Sequence, residues 1–279
     1  MKKRKKKIKQ DNCLWPKTIL LLIGASLCGF FALTSYEMWL WQPAATVVIV
    51  HRPAKAAAKE ATAPIIVDRL PKNVPILMYH YIRDYNNPAD KTGSNLSVSP
   101  ANLEKQLETI IAAGYQTITF ADIFANRTLP EKPIILTFDD GYRDGYDAAF
   151  PLLKKHQANA VFFTISNEIN VNSRYLTDGQ IKEMKEAGME FGNHTLSHPN
   201  LTKLDNQRLA AEIKDSKKET TIFCYPGGQY DNRVIDQVKA AGYLAALTTH
   251  SGTAGPTDDL FTLPRIRMTN DINLSAILR

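Results

Sequence analysis

The sequence predicts an α/β domain with a parallel sheet from about residue 74 onward. In this region short apolar runs rich in β-branched and aromatic residues alternate with stretches of helical periodicity. Two runs, residues 133–138 and 160–165, are almost continuously apolar, as expected of strands that are covered on both faces. The number of runs fits a barrel or an open doubly wound sheet, and periodicity alone does not choose between them.

Seven runs are predicted to be strands. In chain order they are PILMY (75–79), YQTIT (115–119), PIILTF (133–138), AVFFTI (160–165), MEFGNH (189–194), TIFCY (221–225) and YLAALT (243–248). In either fold, the residues that carry chemistry are expected on the loops that follow the carboxyl ends of these strands.

Four helices are predicted between the strands. The first begins at Ser99-Pro100 and ends at Gly114, because serine and proline favour a helix start and glycine favours a helix end. Its apolar face carries Leu103, Leu107, Ile110 and Ile111. The other three helices are expected within residues 177–188, 206–219 and 232–242.

The N-terminus has the pattern of a membrane signal anchor. Residues 1–17 hold eight Lys or Arg and one Asp, and the nineteen residues from Thr18 to Tyr36 carry no charge. A helix of that length spans roughly 28 Å, close to the thickness of a bilayer core. Because basic residues stay on the cytoplasmic side, the rest of the chain is expected outside the cytoplasmic membrane. A cleaved signal peptide is the alternative, and it would leave the same domain secreted.

These features divide the chain into four parts. The linker is rich in Ala, Pro and Lys and has no long apolar period, which is typical of a tether, although its VVIV run could be a first edge strand. The four parts are a basic cytoplasmic segment (1–17), a transmembrane signal anchor (18–41), the linker (42–73) and the folded domain (74–279).

The composition limits the classes of function. The chain has 279 residues, 44% of them hydrophobic and 22% charged, which is typical of a globular protein. The formal net charge is +6, but the positive charge is concentrated at the N-terminus. The domain therefore has no broad basic face, and no nucleic-acid partner is expected. The chain has three cysteines, and only Cys224 lies in the domain, which excludes a disulfide scaffold. No protein partner is predicted.

Two carboxylates follow the predicted strand at 133–138. Asp139 and Asp140 stand directly before Gly141, which allows the backbone to turn sharply. Taken alone, Asp-Asp-Gly is also ordinary turn chemistry.

Two histidines follow the predicted strand at 189–194. His194 and His198 are four residues apart, and on a helical turn this spacing points two imidazoles at one place, as a transition metal requires. With one Asp they form a three-ligand set that leaves metal positions open for water and substrate. Solvent-facing loop histidines are the alternative for the pair alone.

A tight turn follows the predicted strand at 221–225. Pro226-Gly227-Gly228 exposes backbone N–H groups, which could face a developing oxyanion, although a simple turn explains the same residues. Cys224, just before it, is expected to be a small buried apolar residue.

The motifs TFDDG, HTLSH and YPGG, in this order on successive strands, resemble the polysaccharide deacetylase family of carbohydrate esterases, also called the NodB-homology domain. The resemblance covers residues 74–268. It implies a distorted (β/α)7 barrel. It also implies metal-dependent removal of acetyl groups, usually N-acetyl groups of glucosamine residues in chitin-like polymers, peptidoglycan or exopolysaccharide.

The resemblance assigns roles to residues of this chain. Asp139 becomes the general base that deprotonates the attacking water. One divalent metal ion is implied, with Zn expected and Co, Ni or Mn as alternatives, and its ligands are Asp140, His194 and His198. The turn of Tyr225, Pro226 and Gly227 would bind the oxyanion or substrate, chiefly through a backbone N–H near Gly227.

The chain also departs from the commonest family pattern. Cys224 stands where many members have an arginine that orients the base. The late motifs that supply a general acid in many members are missing or replaced, since only TNDINLSAILR follows Met268. His250 follows a strand but lacks the context of the late acid.

PILMYHYI and TLPRIRM resemble instead the subgroup that deacetylates poly-N-acetylglucosamine. This likeness implies that His80 protonates the leaving amine, with an ordinary loop histidine as the alternative. Arg265 could replace the missing arginine or only pair with a carboxylate.

These observations together predict a metal-dependent hydrolase that removes N-acetyl groups from an acetylated amino-sugar polysaccharide, either poly-N-acetylglucosamine or peptidoglycan. The enzyme is expected to be held at the cytoplasmic membrane by its N-terminal helix. An O-acetyl carbohydrate esterase and a non-catalytic carbohydrate-binding module on the same fold are the alternatives.

Overall fold

The computed structural model describes residues 69–85, 87–216 and 219–278. The predicted basic segment, the transmembrane anchor and all but the last residues of the linker lie outside these ranges. Within them, no helix has both the length and the apolar character needed to cross a bilayer.

Ten strands and eight α-helices form in the described ranges. The strands are β1 (Ile76–Tyr79), β2 (Tyr81–Ile82), β3 (Ser97–Val98), β4 (Gln116–Thr117), β5 (Pro133–Phe138), β6 (Val161–Thr164), β7 (Glu190–Asn193), β8 (Ile222–Cys224), β9 (Ala245–Ser251) and β10 (Leu263–Arg267). The helices are α1 (Lys91–Leu96), α2 (Pro100–Ala112), α3 (Phe120–Phe124), α4 (Phe150–Lys155), α5 (Asp178–Glu186), α6 (Asn206–Lys214), α7 (Asn232–Ala240) and α8 (Leu274–Ile277).

Seven parallel strands close into a barrel. Each of β5, β6, β7, β8 and β9 pairs with the next strand along the chain, and β1 pairs with both β5 and β10. The short strand β4 adds to the beginning of β5, and β2 and β3 form a separate pair. The closed ring confirms the predicted (β/α)7 barrel and excludes the open sheet.

The predicted strands and helices all form, but the structure adds elements that the apolar pattern did not indicate. The most consequential is β10, whose sequence LPRIR includes a proline and two arginines and so lacks a continuous apolar run. The predicted strand at 115–119 shortens to Gln116–Thr117 because Thr119 instead caps α3 in a capping box with Asp122.

The apolar side chains form one cluster inside the barrel and others between the barrel and its helices. The inner cluster takes alternate residues of the strands, among them Ile76, Ile135, Phe163 and Leu263. Gly192 leaves room for the Phe163 ring there, since a Cβ at position 192 would overlap that ring. The barrel is therefore a packed core, and chemistry is confined to its ends.

Candidate active site

The predicted site residues lie at the carboxyl ends of the barrel strands. Side chains alternate between the two faces of a strand, so every second residue points into the barrel. Counting on in steps of two from the buried inward residues gives the residue that points inward at the rim. On five strands these rim positions are His80, Asp139, His194, Cys224 and Arg265.

Asp140, His194 and His198 converge at this rim. Asp140 Oδ1 lies 3.4 Å from His194 Nε2 and 3.5 Å from His198 Nε2. The backbone carbonyl of Cys224 lies 2.7 Å from His194 Nδ1. Because a carbonyl can only accept, Nδ1 donates the hydrogen bond, and Nε2 is the nitrogen that faces Asp140.

The three side chains fit a divalent cation. They offer two imidazole nitrogens and one carboxylate oxygen within 4.8 Å of one another, a donor set that Zn, Co, Ni and Mn accept. Burial raises the pKa of Asp140, but the hydrogen bond and charge of His194 outweigh it and the net pKa is lowered. The carboxylate is thus ionised at neutral pH, as a ligand must be.

Asp139, His194 and Cys224 form a second close group of metal-binding types. The Arg265 guanidinium contacts both Asp139 and Cys224, so a cation bound there would lie against a buried positive charge. The structure therefore favours the set of Asp140, His194 and His198.

The backbone is strained at the same place. Asp140, Thr195 and His198 have φ angles of 69°, 70° and 57°, in the left-handed region that residues other than glycine rarely adopt. Such conformations cost roughly 1–3 kcal/mol each and cluster at functional sites. Here they occur where Asp140, His194 and His198 converge, immediately after β5 and β7.

Asp139 and Arg265 form a buried bidentate ion pair. Arg265 donates from its two terminal nitrogens to the Oδ1 and Oδ2 atoms of Asp139 at 2.8 and 2.7 Å. The guanidinium is fully buried, and its other donors reach Thr137 Oγ1, the Thr248 carbonyl and Cys224 Sγ. Arg265 thus lies directly beside Asp139, and the small side chain of Cys224 leaves space for its guanidinium.

This pair sets the ionisation of the site. Burial raises the pKa of Asp139, but the charge and hydrogen bonds of Arg265 outweigh burial and hold the pKa well below its usual range. His80 Nε2 lies 3.7 Å from Asp139 Oδ2 with 13% of its side chain exposed. Burial lowers the pKa of His80 despite the neighbouring carboxylates, so the imidazole is neutral at pH 7.

The third predicted motif forms a single 3₁₀ turn, Pro226–Gly228. The N–H of Gly228 donates to the carbonyl of Tyr225, and a Cβ at position 228 would overlap the side chain of Thr249. Gly227 itself is exposed. The Tyr225 side chain lies in the core, with its hydroxyl donating to the Phe261 carbonyl, so this residue can meet a ligand only through its backbone.

His250 lies apart from this cluster, packed against Tyr230. The sequence reasoning missed Thr137, Thr248, Asn193 and Glu212, which hydrogen-bond to the site residues or to the loop that carries them. Thr137 could have been found, because it is the polar inward position two residues before Asp139 in an otherwise apolar strand.

Residues 126–246 match the family model described as polysaccharide deacetylase. A Bacillus subtilis relative named as a polysaccharide deacetylase, YxkH, is 32% identical over 242 residues, which cover 81% of this chain and 84% of the relative. The chain belongs to the polysaccharide deacetylase family.

Two further likenesses agree with this membership. The structure of the Streptococcus pyogenes deacetylase PplD in complex with acetate matches with a TM-score of 0.68 and 31% identity, covering 77% of this chain and 97% of that one. A Staphylococcus epidermidis poly-β-1,6-N-acetyl-D-glucosamine N-deacetylase is 28% identical over 227 residues, 70% of this chain and 78% of the relative. The protein is thus a polysaccharide deacetylase, and the family resemblance of its motifs is confirmed.

Proposed function

We propose that this deacetylase hydrolyses the N-acetyl groups of an N-acetylglucosamine polysaccharide with the help of one divalent metal ion. The observation that carries the proposal is the convergence of Asp140, His194 and His198 beside the buried pair of Asp139 and Arg265. Poly-N-acetylglucosamine and peptidoglycan are the proposed polymers. The likeness to the Staphylococcus epidermidis enzyme favours the first.

Asp140, His194 and His198 would hold the metal ion. When bound, the ion supplies a Lewis acid that polarises the amide carbonyl and lowers the pKa of water. The hydrogen bond between His194 and the Cys224 carbonyl fixes the orientation of one ligand ring.

Asp139 acts as the general base and accepts the proton of the attacking water. Its lowered pKa keeps the carboxylate ionised at every working pH. A carboxylate with so low a pKa is a weak base, so it can deprotonate only a water whose own pKa has also been lowered. Arg265 holds both carboxylate oxygens and thereby fixes the direction from which the proton arrives.

His80 returns a proton to the leaving amine. The imidazole is neutral in the resting enzyme because burial lowers its pKa. It lies 3.7 Å from Asp139, within reach of the proton that the base has accepted. A protonated His80 is then the acid that an amine leaving group requires.

The turn at Pro226–Gly228 supports the developing negative charge. Its backbone N–H at Gly227 is the proposed donor to the oxyanion, and Tyr225 and Pro226 shape the turn.

We also place the enzyme at the cytoplasmic membrane with its catalytic domain outside. The basic residues 1–17 followed by the uncharged segment within 18–41 support a single-pass anchor, and cleavage of that segment would leave the domain secreted.

Acetate release tests the proposal. The purified full chain is assayed as prepared, after chelation, and after Zn or Co is restored, with poly-N-acetylglucosamine, acetylated peptidoglycan fragments and O-acetylated xylan as substrates. We expect activity on an N-acetyl polymer that chelation removes and metal restores. Activity that persists after complete chelation, or that appears only on xylan, would contradict the proposal.

A further inference from the structure

The loop of residues 194–198, called here the histidine loop, carries both histidines of the site. Two of its residues, Thr195 and His198, have left-handed backbone conformations. Since such conformations are unfavourable for residues other than glycine, contacts from outside the loop must hold it in this shape.

Helix α6 supplies the contact at the far end of the histidine loop. Glu212 is 6% exposed, and its Oε2 accepts a hydrogen bond from the Ser197 N–H at 3.0 Å. Its Oε1 accepts from the Ser197 hydroxyl at 2.6 Å. In the part of the chain that the structure describes, both hydrogen bonds to this carboxylate come from Ser197. Ser197 directly precedes His198.

A different contact holds the near end of the loop. Asn193 Oδ1 accepts from the Thr195 N–H at 2.7 Å and from the Ser216 hydroxyl at 3.0 Å. Inside the loop, the His198 N–H donates to Thr195 Oγ1 at 2.9 Å. The near end is therefore fixed beside His194. The Ser166 and Asn167 N–H groups hold the middle of the loop by donating to the Thr195 and Leu196 carbonyls, and Glu212 holds Ser197.

A buried carboxylate is unfavourable unless its hydrogen bonds compensate for lost hydration. Both side-chain oxygens of Glu212 accept hydrogen bonds from the same residue of the histidine loop, Ser197. Glu212 therefore constrains the Ser197 backbone in two directions at once, along the N–H bond and along the side chain.

We propose that Glu212 is a positioning residue for the metal site, acting through Ser197 to keep the His198 imidazole aimed at Asp140. The inference rests on the proposed metal-dependent function and adds to it a residue of α6 outside the ligand set. Residues that orient metal ligands without contacting the metal themselves typically change metal affinity by roughly 10–100-fold when they are replaced.

Three variants separate positioning from charge. Glu212→Ala removes both hydrogen bonds, and we expect Zn²⁺ to bind roughly 10–100-fold more weakly. Glu212→Gln keeps a carbonyl oxygen for the Ser197 N–H and places an amide donor near the hydroxyl, so its affinity should stay close to wild type. Ser197→Ala removes only the hydroxyl contact, and its loss should be smaller than that of Glu212→Ala.

Glu190→Ala is the matched control. Glu190 is also a glutamate that accepts a backbone hydrogen bond, in this case from the Ala121 N–H. It lies on β7, the strand that leads into His194, but at the opposite end of the barrel. We expect this variant to bind Zn²⁺ with unchanged affinity.

The measurement is a titration of the metal-free full chain with Zn²⁺ against a chromophoric chelator, repeated with Co²⁺ to record its absorption spectrum. Hydrogen exchange of the Ser197 amide is measured in the metal-free protein. The inference predicts weaker binding, an altered Co²⁺ spectrum and faster exchange for Glu212→Ala, and wild-type behaviour for Glu212→Gln.

Unchanged affinity in Glu212→Ala would overturn the inference, and so would an equal loss in Glu212→Gln, which would assign the effect to charge. If Glu212→Ala does not fold, Ser197→Ala decides, since unchanged affinity and unchanged exchange there overturn the inference too. A wild-type chain that binds neither ion would count against the proposed metal-dependent function. The amide exchange would then still test whether Glu212 holds the loop.

Discussion

Each end of the barrel has a carboxyl group that points inward, and the pKa values of the two groups are shifted in opposite directions. At the carboxyl end Asp139 is paired with Arg265, and its pKa lies well below the usual range. At the amino end Glu190 of β7 accepts the Ala121 N–H, and burial raises its pKa to about 7. Burial alone therefore makes a carboxyl group easier to protonate, and a neighbouring cation is needed to keep a buried carboxylate ionised.

Replacing Asp139 should give the largest effect on catalysis. Asp139→Asn keeps the size of the side chain but cannot accept the proton of water, and loss of a general base costs roughly 10²–10⁴-fold in rate. We expect acetate release to fall by this factor while metal binding is retained, because Asp139 is not in the proposed ligand set. Rate measurements with metal-loaded protein check this. A wild-type rate would remove Asp139 from the role of base.

Replacing Arg265 should give the largest effect on stability. Arg265→Met leaves Asp139 as an unpaired buried charge, and breaking a buried pair in this way costs about 3–5 kcal/mol of unfolding free energy. Denaturant unfolding measures this loss. The double variant Arg265→Met with Asp139→Asn is the control, since it removes both charges and should recover part of the stability. No recovery would show that the packing of Arg265, not its charge, is what matters.

The two ends should also respond to pH in opposite directions. The folded pKa of Asp139 is below the unfolded value, so its stabilising contribution is present at neutral pH and is lost only in strong acid, as pH falls through the folded pKa. The folded pKa of Glu190, about 7, is above the unfolded value near 4.5. The folded state therefore binds the proton more tightly, and Glu190 makes the protein less stable as pH rises from about 4.5 to 7.

Glu190→Gln tests the smaller of these effects. We expect the variant to lose part of the decline in unfolding free energy between pH 5 and 7 that wild type shows. Arg265→Met should show a new dependence on pH in the acid range, because the pKa of Asp139 rises when its partner is removed. Identical pH profiles for wild type and Glu190→Gln would contradict the assignment at the amino end.

The carboxyl end was more accessible to sequence reasoning than the amino end. Asp139, Asp140, His194 and His198 stand in short motifs beside apolar strands, so both their type and their place at the rim could be predicted. Arg265 was suggested only by a resemblance, and its pairing with Asp139 depends on closure of the barrel, which brings β10 beside β1. No local pattern encodes that contact.

The supporting contacts were beyond prediction for a related reason. The helical pattern predicts that Glu212 faces solvent. In the structure it is buried, because the histidine loop passes over α6 and places Ser197 against it. Glu190 likewise points into the barrel, at a strand position where the alternation of inward and outward side chains predicts an apolar residue. In both cases the partner is a backbone N–H distant in the sequence, which propensity and periodicity do not report.

In the proposed mechanism, the histidines at the carboxyl end of the barrel bind the metal ion on which deacetylation depends. The most direct test measures bound metal and acetate release together in wild type and in His198→Ala after both have been stripped and reloaded with Zn. We predict one metal ion per chain and metal-dependent acetate release for wild type, and loss of both for His198→Ala. A fully loaded and active His198→Ala would contradict the claim.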